Sequence, residues 1–371
     1  MADRPRSTTA ASGRSRRRSP SGRAIASTVT GSSCSASARA ARRRSAATGR
    51  RPSAPRPAPE TRVIAHAGKH DVTLSPPLRG ILILALLALA VAGCQGGASP
   101  SAASTGLRVV TTTTVFADIV QNVGGSRISV TSIIPPGVGP EDYEPKPEDA
   151  RKLAGAGLIV SNGVGLDDFL DRMLSATGGQ APRLVLGDGI PTLTVNGEQN
   201  PHFWLDPSLV RRYYLPAIVG KLSSLDPAGK AAYEAKAAAY GGQLDALDAE
   251  LKGKVEQIPP QNRKLVTFHD AFPYFARHYG FELVGVILQN VGQDPSAADL
   301  AALVDTVKAA HVRAVFSEAQ FSPKLSQTLA QEAGITQVVT TLYNDALGPA
   351  PADTYLGLMR WNVDHIVDAL K

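Results

Sequence analysis

The chain has 371 residues, room for two ordinary domains of about 100–200 residues each, and carries a formal net charge of +7 with seven histidines and two cysteines. The basicity is local: 17 of the 39 Lys and Arg but only 3 of the 32 Asp and Glu fall in residues 1–93, leaving 22 basic against 29 acidic side chains on the remainder. This excludes a nucleic-acid partner for the body of the chain, because the basic footprint such a partner needs is confined to one terminal segment.

Residues 1–77 are dense in Arg, Ser, Ala and Pro, with Arg16-Arg17-Arg18, Arg42-Arg43-Arg44 and almost no apolar periodicity. Such a composition buries too little surface to offset its ordering entropy. The segment is expected to be disordered, or to lie upstream of a translation start nearer Val63, Val72 or Leu74. Residues 78–93 differ: Arg79-Gly80 precede the apolar run Ile81–Ala92, too short for a comfortable membrane span, and Gly93-Cys94 follow. The ending Leu89-Ala90-Val91-Ala92-Gly93-Cys94 resembles a bacterial lipoprotein signal, which implies cleavage before Cys94 and lipidation of its thiol. Cys34 falls in the part that would be removed, so the mature chain would have no internal disulfide. Residues 94–106, rich in Gly, Ser and Ala, read as a flexible tether.

From Leu107 the pattern alternates strand and helix. Leu107–Thr112, Ile128–Ile134, Gly157–Ser161 and Arg183–Leu186 are strand-like, with helices predicted over Val115–Val123, Pro147–Ala154 and Asp167–Ala176. A second series predicts strands at Leu265–Phe268, Glu282–Ile287, Ala314–Ser317 and Val338–Thr341, and helices at Ala271–His278, Ser296–His311, Pro323–Gly334 and Thr354–Leu370. This is the rhythm of parallel βαβ units, and it predicts an α/β protein of two lobes, residues 107–226 and 261–371, each a mainly parallel sheet flanked by helices. Between them, residues 227–260 place Leu244, Leu247, Leu251, Val255 and Ile258 at helical spacing before Pro259-Pro260. A rigid linker helix of about 30 residues and about 45 Å is expected, with Gly241-Gly242 as its weak point. The apolar seam is too short for a sustained coiled coil, so a monomer is expected.

Four segments carry donors for a divalent cation. They are Gly139-Pro140-Glu141-Asp142-Tyr143-Glu144-Pro145, Asn200-Pro201-His202-Phe203-Trp204-Leu205-Asp206-Pro207, Phe268-His269-Asp270-Ala271-Phe272-Pro273-Tyr274-Phe275 and Leu342-Tyr343-Asn344-Asp345-Ala346-Leu347-Gly348. Glu141, His202, His269 and Asp345 offer carboxylate and imidazole groups, which suit a borderline-to-hard ion such as zinc or manganese. His269 ends a predicted strand, where open α/β sheets place ligands. His278 and His311 fall on predicted helices and are read as non-ligands.

These segments, with Phe316-Ser317-Glu318-Ala319-Gln320-Phe321-Ser322, resemble the ligand-bearing segments of the zinc/manganese-binding receptors of ABC importers, and the resemblance runs from Leu107 to Lys371. It implies a metal site between the lobes, with Glu141 and His202 from the first and His269 and Asp345 from the second. Glu144 and Glu318 match positions that support such a site rather than bind the ion. The family usually has Asp-Pro-His where this chain has Gly-Pro-Glu, so Glu141 departs from the pattern. His269 matches the zinc-type receptors, while Glu141 pulls toward harder donors and the His-rich loop of many zinc receptors is absent. The expectation is Zn2+ ahead of Mn2+ as transported ligand, delivered to an ABC permease with a separate ATPase, because the chain has no Gly-x-x-x-x-Gly-Lys-Ser/Thr motif of its own.

The expected location is extracytoplasmic, anchored to the bacterial cell membrane through lipidated Cys94. Two other classes could use the same donors. A zinc hydrolase would leave an open metal face with Glu141 or Glu144 as base, but His-Glu-x-x-His and Gly-x-Ser-x-Gly signatures are missing, so no catalytic residue is assigned. A metal-binding surface adhesin is the other.

Overall fold

A computed structural model describes residues 106–140, 143–177, 180–195, 197–289 and 293–371. Glu141, the apolar run before Cys94, Cys94 itself and the basic segment lie outside the described residues.

In the first lobe the β-branched run Leu107–Thr111 forms β1, followed by α1 (Thr114–Gly124), β2 (Ile128–Ser132), α2 (Pro147–Ala154), β3 (Leu158–Ser161), α3 (Asp168–Thr177) and β4 (Arg183–Val185). The strands pair in parallel in the order β2-β1-β3-β4. Helix α2 begins where Pro147 occupies a first-turn position that needs no N–H, and Asp149 accepts the Lys146 N–H at 2.8 Å. A short hairpin, β5 (Thr194–Val195) with β6 (Glu198–Gln199), leads into the His202 segment. Beyond it the chain turns through Pro207–Leu209 and a π-helical Val210–Tyr214 into α4 (Leu215–Leu225).

The linker is α5, Lys230–Val255, preceded by a 3-10 turn at Pro227–Gly229. Its 26 residues span about 39 Å, running unbroken through Gly241-Gly242. Tyr233, Tyr240, Leu244, Leu247, Leu251 and Val255 bury one stripe.

The second lobe comprises β7 (Lys264–His269), α6 (Pro273–Tyr279), β8 (Glu282–Leu288), α7 (Ala297–Ala309), β9 (Ala314–Glu318), α8 (Lys324–Ala333), β10 (Gln337–Leu342) and α9 (Tyr355–Leu370). β7 pairs with β8 and β9 with β10, both in parallel, and β7 runs beside β9. Hydrogen bonding leaves these as two two-stranded sheets, and with β7 beside β9 the spatial order β8-β7-β9-β10 parallels that of the first lobe. Helix α6 starts two residues later than predicted, because Ala271 closes a turn onto the His269 carbonyl at 2.9 Å and Pro273 opens the helix. Helices α6 and α8 end on Gly280 and Gly334 at φ of 74° and 75°, a left-handed conformation that only glycine adopts freely. Helix α5 packs on α1 and α4 from one lobe and on α9 from the other. One apolar core runs through all three, from Val109 and Phe116 through Leu247 to Leu358 and Ile366.

Candidate metal centre

Both lobes present the carboxyl ends of their strands to a cleft of about 620 Å³ whose walls include Tyr143, Arg172, Asn200, His202, His269 and Asp270. In open α/β sheets the crevice forms where strand order reverses, here between β1 and β3 and between β7 and β9. At the base of this cleft the structure brings together His202, His269 and Asp345, with one ligand atom from each lying within 4.8 Å of the others.

Each donor is fixed by its local chain. His202 follows Pro201 in the loop leaving β6, with its backbone N–H donating to Asn200 Oδ1 at 3.1 Å. The same amide oxygen lies 3.1 Å from the ring Nδ1. An amide oxygen can only accept, so Nδ1 carries the proton and Nε2 presents its lone pair to the cluster. Nε2 faces Asp345 Oδ1 at 3.4 Å. His269 is the last residue of β7; its Nδ1 lies 3.3 Å from Glu318 Oε1 at the end of β9, and its Nε2 is 3.6 Å from Asp345 Oδ2. Asp345 lies in the loop after β10, which Asn362 of α9 pins by accepting the Tyr343 N–H at 2.9 Å and donating to the Tyr343 carbonyl at 2.5 Å. The two imidazoles stand edge to face with centroids 5.3 Å apart, backed by Trp204 on His202 and Phe321 on His269.

The electrostatics favour a cation. His202, His269, Glu318 and Asp345 are all at most 5% exposed. Asp345 Oδ1 and Glu318 Oε2 are buried without accepting a hydrogen bond, and Glu318 Oε1 has only the 3.3 Å approach of His269 Nδ1. Among the described residues no Lys or Arg forms an ion pair with either carboxylate. Burial pushes the Asp345 carboxyl up to about 6, opposed by the nearby charge of His269 and a hydrogen bond from Gln320. Burial likewise raises Asp270, with His202 and Asn200 opposing. Buried carboxylate oxygens facing imidazole lone pairs are strongly disfavoured unless a proton or a metal ion stands between them, so the donor set fits a divalent cation.

Of the residues singled out from sequence, Glu318 lies beside His269, whereas Glu144 lies away from the cluster. It is solvent-exposed, because the neighbouring Tyr143 hydroxyl is drawn to Asp149 at 2.6 Å and Pro145 carries the chain outward into α2. Asn200, Gln320 and Asn344 were not singled out, although each lies inside a segment that was. Gln320 Nε2 donates to Asp345 Oδ2 at 2.9 Å and to Asn344 Oδ1 at 2.8 Å, and the Asn344 amide lies across the His269 ring, Nδ2 3.2 Å from Nε2. Polar residues one or two positions from a candidate ligand were the available signal. His278 sits apart, 2.6 Å from Asp248 and 3.3 Å from Asp206.

Fold and site together define a two-lobed α/β binding protein whose interlobe cleft ends in a cation-fitting donor cluster. The family described as zinc-uptake complex component A, periplasmic (ZnuA), matches residues 109–369, and the chain belongs to it. The manganese-binding lipoprotein MntA of Halalkalibacterium halodurans is 32% identical over 299 residues, covering 78% of this chain and 97% of its own. The iron-binding protein YfeA of Yersinia pestis is 34% identical over 277 residues, covering 72% and 88%. Among solved structures, the periplasmic zinc binding protein TroA of Treponema pallidum superposes with a TM-score of 0.66 at 31% identity, over 71% of this chain and 99% of its own.

Proposed function

We propose that this chain is an extracytoplasmic receptor that captures a divalent transition metal through His202, His269 and Asp345, with Glu141 as fourth ligand, and delivers it to an ABC permease driven by a separate ATPase. The observation that carries the reading is the buried cluster of two imidazoles and one carboxylate, drawn from both lobes, with donor atoms within 4.8 Å. Two carboxylates, Asp345 and Glu141, would neutralise the ion formally and lower the free energy needed to enclose it. Glu318 holds the His269 ring in the tautomer that binds through Nε2.

Zinc is the favoured cargo and manganese the next. Two imidazoles with a carboxylate suit zinc, and intrinsic affinity places zinc above manganese at such donor sets. The named relatives bind manganese, iron and zinc, which supports a transition metal without selecting one. The proposed mature protein is a monomer that begins at lipidated Cys94, with a tether to residue 106, lobes over 107–226 and 261–371, and a linker over 227–260. It turns nothing over. Elemental analysis of protein purified without added metal, followed by zinc–manganese competition, tests the reading. One tightly held equivalent per chain, with zinc displacing manganese, is expected; absence of stoichiometric metal overturns it.

A further inference from the structure

The two oxygens of Asp345 are treated unequally. Oδ2 accepts a hydrogen bond from Gln320 Nε2 at 2.9 Å, whereas Oδ1 accepts none and faces His202 Nε2 at 3.4 Å. Gln320 is held in this role from several directions. Its amide nitrogen also donates to Asn344 Oδ1 at 2.8 Å, and that oxygen accepts the Asp345 N–H at 2.7 Å. The turn bearing Gln320 is closed by the Phe321 N–H on the Glu318 carbonyl at 3.2 Å and tied to the end of β10 by the Ala319 N–H on the Leu342 carbonyl at 2.9 Å. Both hydrogens of the Gln320 amide are thus committed, one to Asn344 and one to Asp345 Oδ2.

A carboxylate binds a cation through one oxygen or through both. A hydrogen bond on one oxygen occupies a lone pair and draws off electron density, leaving the other as the better donor. Zinc is served by four ligands in a tetrahedron, whereas manganese suits a larger, oxygen-rich shell that a two-oxygen carboxylate helps to fill. We infer that Gln320 is a specificity-determining residue: by holding Asp345 Oδ2 it keeps Asp345 a one-oxygen ligand and tilts the site toward zinc. Gln320 acts through Asp345 and does not touch the ion, so it is a positioning residue. The inference rests on the reading of His202, His269 and Asp345 as metal ligands.

The test uses the whole folded protein with Gln320→Met, which keeps the shape and removes the donor, and Gln320→Glu, which replaces the donor by a second carboxylate. Zinc and manganese affinities are measured by chelator competition. Cobalt(II) is then bound in place of either metal and its visible bands are recorded, since four-coordinate cobalt absorbs far more strongly than five- or six-coordinate cobalt. Circular dichroism verifies that each variant is folded. Each variant is expected to shift the zinc-to-manganese affinity ratio toward manganese by about tenfold, the scale of one hydrogen bond to a charged group, and to weaken the cobalt bands. An unchanged ratio, or equal weakening of both metals with an unchanged cobalt spectrum, overturns the inference and makes Gln320 a structural support. If His269→Ala retains the wild-type affinity for both metals, the ligand assignment itself has failed, and this inference falls with it by a separate route.

Discussion

Replacing Asp345 by Asn separates the demands of the site from those of the fold. At neutral pH the wild-type carboxylate is ionised where burial disfavours the charge, its pKa moved from 3.8 up to about 6. A group raised in this way adds stability below its unfolded value and loses it as pH rises through about 6. At about pH 7.5 the metal-free protein is therefore about 3 kcal/mol less stable than with a neutral group at this position. Asn keeps an oxygen for Gln320 and carries no charge at any pH. For a folded body of this size each kcal/mol moves the midpoint by about 2–4 °C, so Asp345→Asn is expected to melt roughly 6–12 °C above wild type in chelator. Asp167, also pushed up to about 6 by burial, is shared by both proteins and cancels. The gap should shrink below about 1 kcal/mol near pH 4, where the folded-state carboxyl is protonated and the unfolded-state group is close to its own midpoint. Added zinc should reverse the order, since only the wild type keeps its carboxylate ligand. The assay is differential scanning calorimetry with and without metal. Equal melting points at neutral pH, or a gap as large at pH 4, would refute the reasoning.

Further outcomes follow from the same geometry. Protonation of Asp345 alone should weaken zinc binding about tenfold between about pH 7.5 and 5, with the imidazoles adding to it, measured by chelator competition. His202→Ala and His269→Ala should each abolish tight binding by titration calorimetry, whereas His311→Ala leaves the affinity unchanged. Glu318→Gln should weaken the metal by roughly 10–100-fold, as loss of a carboxylate partner to a ligating imidazole does. Leu247→Ala, in the buried stripe of α5, should lower unfolding free energy by about 2–5 kcal/mol in denaturant titrations.

Much of the fold is legible in the sequence because parallel strands buried on both faces leave near-continuous apolar runs. Leu158–Ser161 and Ala314–Glu318 are buried throughout. Helix α4 is not legible, since Pro207 and Pro216 interrupt its pattern and a π-helical turn shifts the phase of its buried face. The hairpin of β5 and β6 is too short to show alternation. At the site, imidazoles and carboxylates are rare enough in apolar settings to stand out singly. Gln320 and Asn344 are ordinary turn residues in sequence and acquire meaning only when the ends of β9 and β10 lie side by side. Glu144 illustrates the converse, a carboxylate beside a ligand segment that the chain turns outward.

The core that passes from Val109 through Leu247 to Ile366 ties both lobes to α5, beside a smaller core of its own in each lobe. The shared core predicts a single cooperative unfolding event, and an ion held by side chains of both lobes should protect amides throughout the body from hydrogen exchange. A ligand present at about a thousand times its dissociation constant adds about 4 kcal/mol to such a transition. Thermal melting then becomes a thermodynamic readout of occupancy, able to rank candidate metals without a label at the site.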